Sequence, residues 1–263
     1  MEQQFGSEMD ITSIAQNVGV TPRHLRRLFL HETGETPSEF LQRIRLNEAA
    51  FRLKWADEAT EALAHAVGFR SRPAFIRAFQ RQFGMPPARY RRSLQARAPG
   101  AGCATSADVF TQELEPLRLL CRRYVGDISQ LRAYWTDFNA RLPKELADNQ
   151  STLHIGQLHD DPRVTDPDKV RYDCGIVLTA DYSCREGCLH HNDLHIVETM
   201  PGTYVGMHHR GHFAAIPETY DLLCINITHG RVPAAAPALE VHAVPRHMQD
   251  PESLSFTVLF PIE

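Results

Sequence analysis

The strongest constraint on the fold is an internal repeat. Ile14, Ala15, Gly19, Leu25, Phe29, Gly34 and Pro37 recur, one insertion apart, as Leu63, Ala64, Gly68, Phe75, Phe79, Gly84 and Pro87. Two copies of one supersecondary unit are implied. Apolar residues in this stretch fall at helical spacing, as in Leu25, Leu28 and Phe29 or Phe75, Ile76, Phe79 and Phe83, so both copies read as helical. Beyond residue 108 the pattern changes to short runs such as LRLLCRRYV, GIVLTA, GTYVGMHH, LEVHAV and SFTVLFPI, with helix-like segments near Ser129 to Leu142 and Phe213 to Ile227. That half reads as α+β and also repeats. RRYVGDISQLRAYW and HHRGHFAAIPETY each run from a strand through a glycine, Gly126 or Gly211, into a helix with an aromatic residue, Trp135 or Tyr220, at the same distance. The expectation is a multidomain chain: an all-α double helix-turn-helix followed by two β-α-β-β repeats.

The stretch QARAPGAGCATSAD is built of small residues, Gly and Pro without apolar periodicity. It divides the chain into residues 1–95, a linker at 96–108 and residues 109–263. Charge divides at the same place. Met1 to Arg97 carries 15 Lys/Arg against 10 Asp/Glu, net +5, leaving 13 against 22, net −9, for the rest. A basic module that meets a polyanion and an acidic module with another task fit this asymmetry. The six cysteines show no disulfide framework, no window approaches 18 apolar residues, and MEQQFGSEMD is no export signal. The chain is therefore expected to be cytoplasmic, with no membrane partner.

The unit ITSIAQNVGVTPRHLRRLF, residues 11–29, has helix-turn-helix grammar. A small residue, Ala15, lies in the first helix, Gly19 turns the chain, and Thr21-Pro22 caps the second helix. Leu25, Leu28 and Phe29 are expected to form the buried stripe of that helix, leaving Arg23, Arg26 and Arg27 outward. Arginine suits such a face because its fork bonds guanine O6 and N7 together or grips phosphate. The second copy presents Arg70, Arg72 and Arg77, with Ser71 as cap. An arginine-rich solvated helix face is the ordinary alternative. Two copies joined by a long helix, Ser38 to Lys54, favour the DNA reading.

Residues 11–92, above all AHAVGFRSRPAFIRAFQRQFGMPPARYRR at 64–92, resemble the AraC/XylS family of transcription regulators. The resemblance implies two recognition helices about one DNA turn apart, reading double-stranded DNA. Two departures stand out: Met1 to Asp10 is short and polar where the family has more helix, and Pro73 sits early in the second recognition helix.

Glu240 interrupts the apolar run ALEVHAV. Strand alternation alone allows it to face water, and burying it would demand a compensating donor or cation. From Glu113 onward, EPLRLLCRRYVGD, DDPRVTDPDKVRYDCGI, PGTYVGMHHRGHF, LEVH and VLFPI resemble the GyrI-like effector-binding domain. The resemblance implies two repeats about a pseudo-two-fold axis, a cleft for an amphipathic, cationic or aromatic compound, and a ligand-contacting role for Glu240. Trp135, Phe138, Tyr172, Tyr204, Phe213 and Tyr220 would supply aromatic surface; His242 replaces a tyrosine common in the family.

The Asp-rich run from Asp160 to Asp173 reads as a structured turn, because Asp-Pro pairs form turns and no glycine sits where a calcium loop needs one. Cys184, Cys188, His190, His191 and His195 are apt for zinc but meet no standard spacing, so a solvated loop is expected, with no metal and no cofactor. The reading is a ligand-responsive, DNA-binding transcription regulator and not an enzyme, with RNA polymerase as a further partner. Its rivals are a GyrI-like hydrolase, with Glu240 as base and Tyr204 or Tyr172 as proton donor, and a DNA-binding module with a protein-docking tail.

Overall fold

A computed structural model of the chain describes residues 11–55, 58–95, 109–147, 152–179, 182, 193–227, 236–244 and 248–262. The chain forms two compact units, Met1–Gly100 and Ala101–Glu263. The segment 96–108 lies outside the described residues, as do Cys184, Cys188, His190 and His191.

Among its described residues the first unit has six helices: α1 (Ile11–Asn17), α2 (Pro22–Thr33), α3 (Pro37–Trp55), α4 (Thr60–Ala66), α5 (Arg72–Phe83) and α6 (Pro87–Gln95). The repeat extends to backbone detail. Gly19 and Gly68 make the turns at φ 69 and 80, a region that side chains other than glycine's disfavour. Thr21 Oγ1 accepts from His24 N at 3.2 Å and Ser71 Oγ from Ala74 N at 3.4 Å, so both second helices carry side-chain caps. Because α5 starts at Arg72, Pro73 sits in the first turn, where its missing N–H costs nothing. Between the copies, Thr36 and Glu39 form a reciprocal capping box at the start of α3 (Thr36 N to Glu39 Oε2, 2.8 Å; Glu39 N to Thr36 Oγ1, 3.3 Å).

The copies differ in burial. Leu63, Val67, Phe75 and Phe79 are fully buried, and Phe79 packs edge-on against Tyr90 of α6 at 5.4 Å. Among the described residues of α1 and α2 only Ala15 is buried, and Leu28, expected in the stripe, is 43% exposed. Its counterpart Ala78 is buried. The second copy packs against both α3 and α6, whereas α2 packs against its partner α1 and against α3, through Phe29 on Phe40 at 5.1 Å. Periodicity placed Leu28 on an apolar edge, but no described neighbour covers that edge.

The second unit is one eight-stranded antiparallel sheet with helices on it: β1 (Val109–Leu114), β2 (Arg118–Val125), α7 (Leu131–Arg141), α8 (Lys144–Ala147), β3 (His154–Leu158), β4 (Arg171–Val177), β5 (His195–Glu198), β6 (Gly202–Gly211), α9 (Ile216–Ile227), β7 (Ala238–His242) and β8 (Leu254–Pro261). The spatial order, β1-β6-β8-β7-β3-β4-β2-β5, reads the same from either end once β2-α7-β3-β4 is exchanged for β6-α9-β7-β8. The pseudo-two-fold axis passes through the β3–β7 pair, where Gly156 lies opposite Glu240. The edge strands are exchanged: β1, which precedes the first repeat, pairs with β6 of the second, and β5, which precedes the second, pairs with β2 of the first.

On the helix-covered face, Leu131, Trp135 and Phe138 of α7 pack onto Leu120, Tyr172, Cys174 and Ile176. The opposite face holds Leu119, Cys121, Ile155, Tyr204, Leu239 and Leu259. The Asp-rich run is tied down by arginines: Asp160 accepts from the Arg171 backbone at 3.0 Å and its guanidinium at 2.7 Å, and Arg163 bridges Asp161 and Asp221 of α9. Asp173 is fully buried between Arg123 and His159. Burial alone would raise its carboxyl, but hydrogen bonds and charge from Arg123 and His159 override this and hold it well below the usual carboxylate range. No helix among the described residues is long and apolar enough to cross a membrane.

Candidate DNA interface and small-molecule site

All six arginines singled out in the sequence, Arg23, Arg26, Arg27, Arg70, Arg72 and Arg77, are exposed. Two other arginines of the unit are held in ion pairs. Arg43 is bonded to Glu35 at 3.0 Å and Arg52 to Glu58 at 3.3 Å. Among the described residues, Arg23, Arg26, Arg27, Arg72 and Arg77 have no acidic partner. Counting from the phenylalanine shared by the two copies, Phe29 and Phe79, Arg27 and Arg77 occupy the same position, while Arg72 opens its helix and Arg70 precedes it. The copies also differ locally. Arg27 Nη2 donates to His24 Nδ1 at 3.1 Å, whereas Ala74 stands at the equivalent place beside Arg77.

In the second unit, Glu240 does not face water. It is 2% exposed and lies on the helix-covered side of β7. Its carboxylate accepts from Tyr172 Oη at 2.7 Å (Oε2) and Tyr220 Oη at 2.9 Å (Oε1), so each repeat contributes one hydroxyl. The two hydrogen bonds offset part of the cost of burying the group. His242, two residues along the strand, brings Nε2 to 3.5 Å from Oε2. Tyr172 reaches Glu240 from β4 by crossing β3 at Gly156. A Cβ there would lie 1.9 Å from the tyrosine oxygen. Trp135 stands over this group, with ring centroids 5.6 Å from His242, 5.8 Å from His154 and 6.4 Å from Tyr172. The site is closed, since Trp135, Tyr172, Tyr220, Glu240 and His242 are all buried.

Two aromatic residues named with Glu240 lie elsewhere. Tyr204 is on the opposite face of the sheet, where its hydroxyl donates to Met200 O at 2.8 Å and burial pushes its pKa up to about 12. Strand parity decides this: Tyr204 falls in register with Leu119's side of the sheet, not with Leu120's. Phe213 is half-buried in the short turn before α9. Sequence reasoning missed Gly156 and His154. For Gly156 a signal existed, because an isolated glycine inside a strand marks close approach of another group.

Known proteins place both units. A family model described as a GyrI-like small molecule binding domain matches residues 108–263, more than half of the chain, and a helix-turn-helix domain model matches 14–93. The chain belongs to the GyrI-like family. Its first unit is an AraC-type helix-turn-helix domain joined to the GyrI-like one. The multiple antibiotic resistance protein MarA of Salmonella typhimurium is 30% identical over 91 residues, which are 35% of this chain and 72% of MarA. The HTH-type transcriptional activator RhaS of Pectobacterium carotovorum is 32% identical over 87 residues, 33% of this chain and 31% of RhaS. Among solved structures, the DNA-binding domain of AdpA in complex with a target DNA matches with a TM-score of 0.36 and 31% identity, over 37% of this chain and 87% of that one.

Proposed function

We propose that this protein is a transcription regulator that binds promoter DNA through α2 and α5 and answers to a small molecule held around Glu240. The observation that carries the reading is the pairing, in one chain, of two capped helices whose arginines have no acidic partner among the described residues with a buried carboxylate held by a tyrosine from each repeat. Arg23, Arg26, Arg27, Arg70, Arg72 and Arg77 are the DNA contacts in this reading; Glu240, Trp135, Tyr172 and Tyr220 are the ligand contacts. Tyr204 and Phe213 are not used.

Buried side chains enclose the carboxylate, so a ligand that reaches it must displace one of them. Tyr220 rides on α9 and Tyr172 is wedged under Trp135, so binding is linked to movement of a helix against the sheet. Such a ligand shifts DNA affinity only by the difference in its affinity for the two arrangements. The negative charge favours a cationic or donor-bearing aromatic amphipath. The site of action is the cytoplasm, with RNA polymerase as the partner at the promoter. No catalytic step is part of the reading; of the two tyrosines named for the hydrolase alternative, Tyr204 lies across the sheet and Tyr172 bonds Glu240, as Tyr220 also does.

The test uses the full chain. Binding to duplexes of about 20 base pairs is expected to weaken steeply as salt rises, through counterion release. Lipophilic cations that raise the melting temperature should change that affinity, and Glu240→Gln should abolish the change. Duplex binding no tighter than that of an acidic control protein would refute the DNA role. Consumption of a stabilising compound by wild type but not by Glu240→Gln would establish the hydrolase instead.

A further inference from the structure

Near the carboxylate lies a buried donor with no acceptor among the described residues. Trp135 is 0% exposed, and its indole Nε1 has no hydrogen-bond partner among the described residues. Buried indole N–H groups are normally paired, because drying a donor without replacing its water partner is costly. The repeat explains how the donor came to be alone. Trp135 and Tyr220 occupy equivalent places, each nine residues after the glycine that turns strand into helix, Gly126 or Gly211. Tyr220 spends its polar tip on Glu240 of its own repeat. The two-fold mate of Glu240 is Gly156, which has no side chain to offer Trp135.

We propose that the small molecule bound by this domain carries a hydrogen-bond acceptor that takes the Trp135 indole N–H. The ligand is thereby assigned to planar aromatic compounds bearing a carbonyl, ether or ring-nitrogen acceptor, neutral or cationic overall, because Glu240 in the same cluster repels an anionic acceptor. Lipophilic cations that lack an acceptor satisfy the carboxylate and leave the indole dry, so they are the weaker ligands. The inference rests on the reading that the cluster around Glu240 is the ligand site.

The experiment is a fragment screen on the full chain by thermal shift. The library is composed in equal parts of acceptor-bearing aromatics, with N-methylacridone among them, and acceptor-free analogues, with N-methylacridinium among them. Hits are titrated against wild type, Trp135→Phe and Glu240→Gln. Acceptor-bearing hits should lose about tenfold in affinity on Trp135→Phe, the loss of one hydrogen bond, while acceptor-free hits keep theirs. In wild type, acceptor-bearing hits should move the Trp135 indole proton downfield in nitrogen–proton correlation spectra, a readout that holds even where the variant folds poorly. Hits that depend on Glu240 but bind both tryptophan forms equally, with the indole proton unmoved, would overturn the inference and leave the ligand site standing. A screen with no hit sensitive to Glu240→Gln would overturn the site and the inference together.

Discussion

Gly156→Ala tests whether Tyr172 crosses β3 to reach Glu240. The added methyl would lie 1.9 Å from Tyr172 Oη, 2.6 Å from its Cζ and 3.3 Å from Glu240 Cβ, so the tyrosine must leave. It has little room, being 1% exposed and packed edge-on under Trp135. Losing a hydrogen bond to a charged acceptor costs about 1.5–3 kcal/mol, and forcing a methyl into a packed core about 1–3 kcal/mol more. The second unit should therefore lose about 3–5 kcal/mol, or about 6–20 °C of melting temperature for a unit of this size. Urea unfolding of the full chain in a Trp55→Phe background reports this through Trp135, then the sole tryptophan. The sharper measure is a double-mutant cycle with Tyr172→Phe, which removes the oxygen at 1.9 Å and its bond to Glu240 together. On that background Gly156→Ala should cost less by at least about 1 kcal/mol. Strict additivity of the two substitutions, or a Gly156→Ala protein as stable as wild type, would show that Tyr172 does not lie over Gly156.

Three further outcomes are expected. Arg27→Ala and Arg77→Ala should each weaken duplex binding by about 1–3 kcal/mol and lower the salt dependence, measured by fluorescence anisotropy across ionic strengths. His24→Ala removes the side chain that holds Arg27 Nη2 at 3.1 Å without removing the arginine's charge. Selection from a random duplex pool should thus yield a site with relaxed sequence preference in one half and an unchanged salt slope. Asp173 has a depressed folded-state pKa, so its contribution to stability is fully present above the ordinary carboxylate range and fades as pH falls through the folded value. The stability difference between wild type and Asp173→Asn, followed by denaturation from pH 7 downward, should persist to about pH 4 and shrink only in stronger acid.

Much of the first unit was legible because its signals are local. The glycines at the turns, the Thr21 and Ser71 caps and the Pro residues fix helix ends within a few residues of themselves. Leu28 was misplaced because burial depends on which helix lies alongside, and the two copies share a sequence pattern but not their neighbours. In the second unit, β-α-β-β repeats were readable from the Gly126 and Gly211 turns. The face of each strand was not, since it follows from pairing between strands far apart in the chain. Glu240 and Tyr172 met on one face and Tyr204 fell on the other through register alone.

The exchange of β1 and β5 between the two repeats makes the GyrI-like unit the equivalent of a fused dimer. A homodimer of one repeat, closed about the same axis, would repeat every residue across it. Glutamates at the position of Glu240 would then face each other on paired strands with Cα atoms about 4.5–5.5 Å apart, and like charges so placed repel. Fusion into one chain removes that constraint, because the two positions are encoded separately and can diverge, here into Glu240 and Gly156. The single carboxylate on the axis, and the tyrosine that crosses the glycine to hold it, are arrangements open to a duplicated gene and closed to a symmetric pair of subunits.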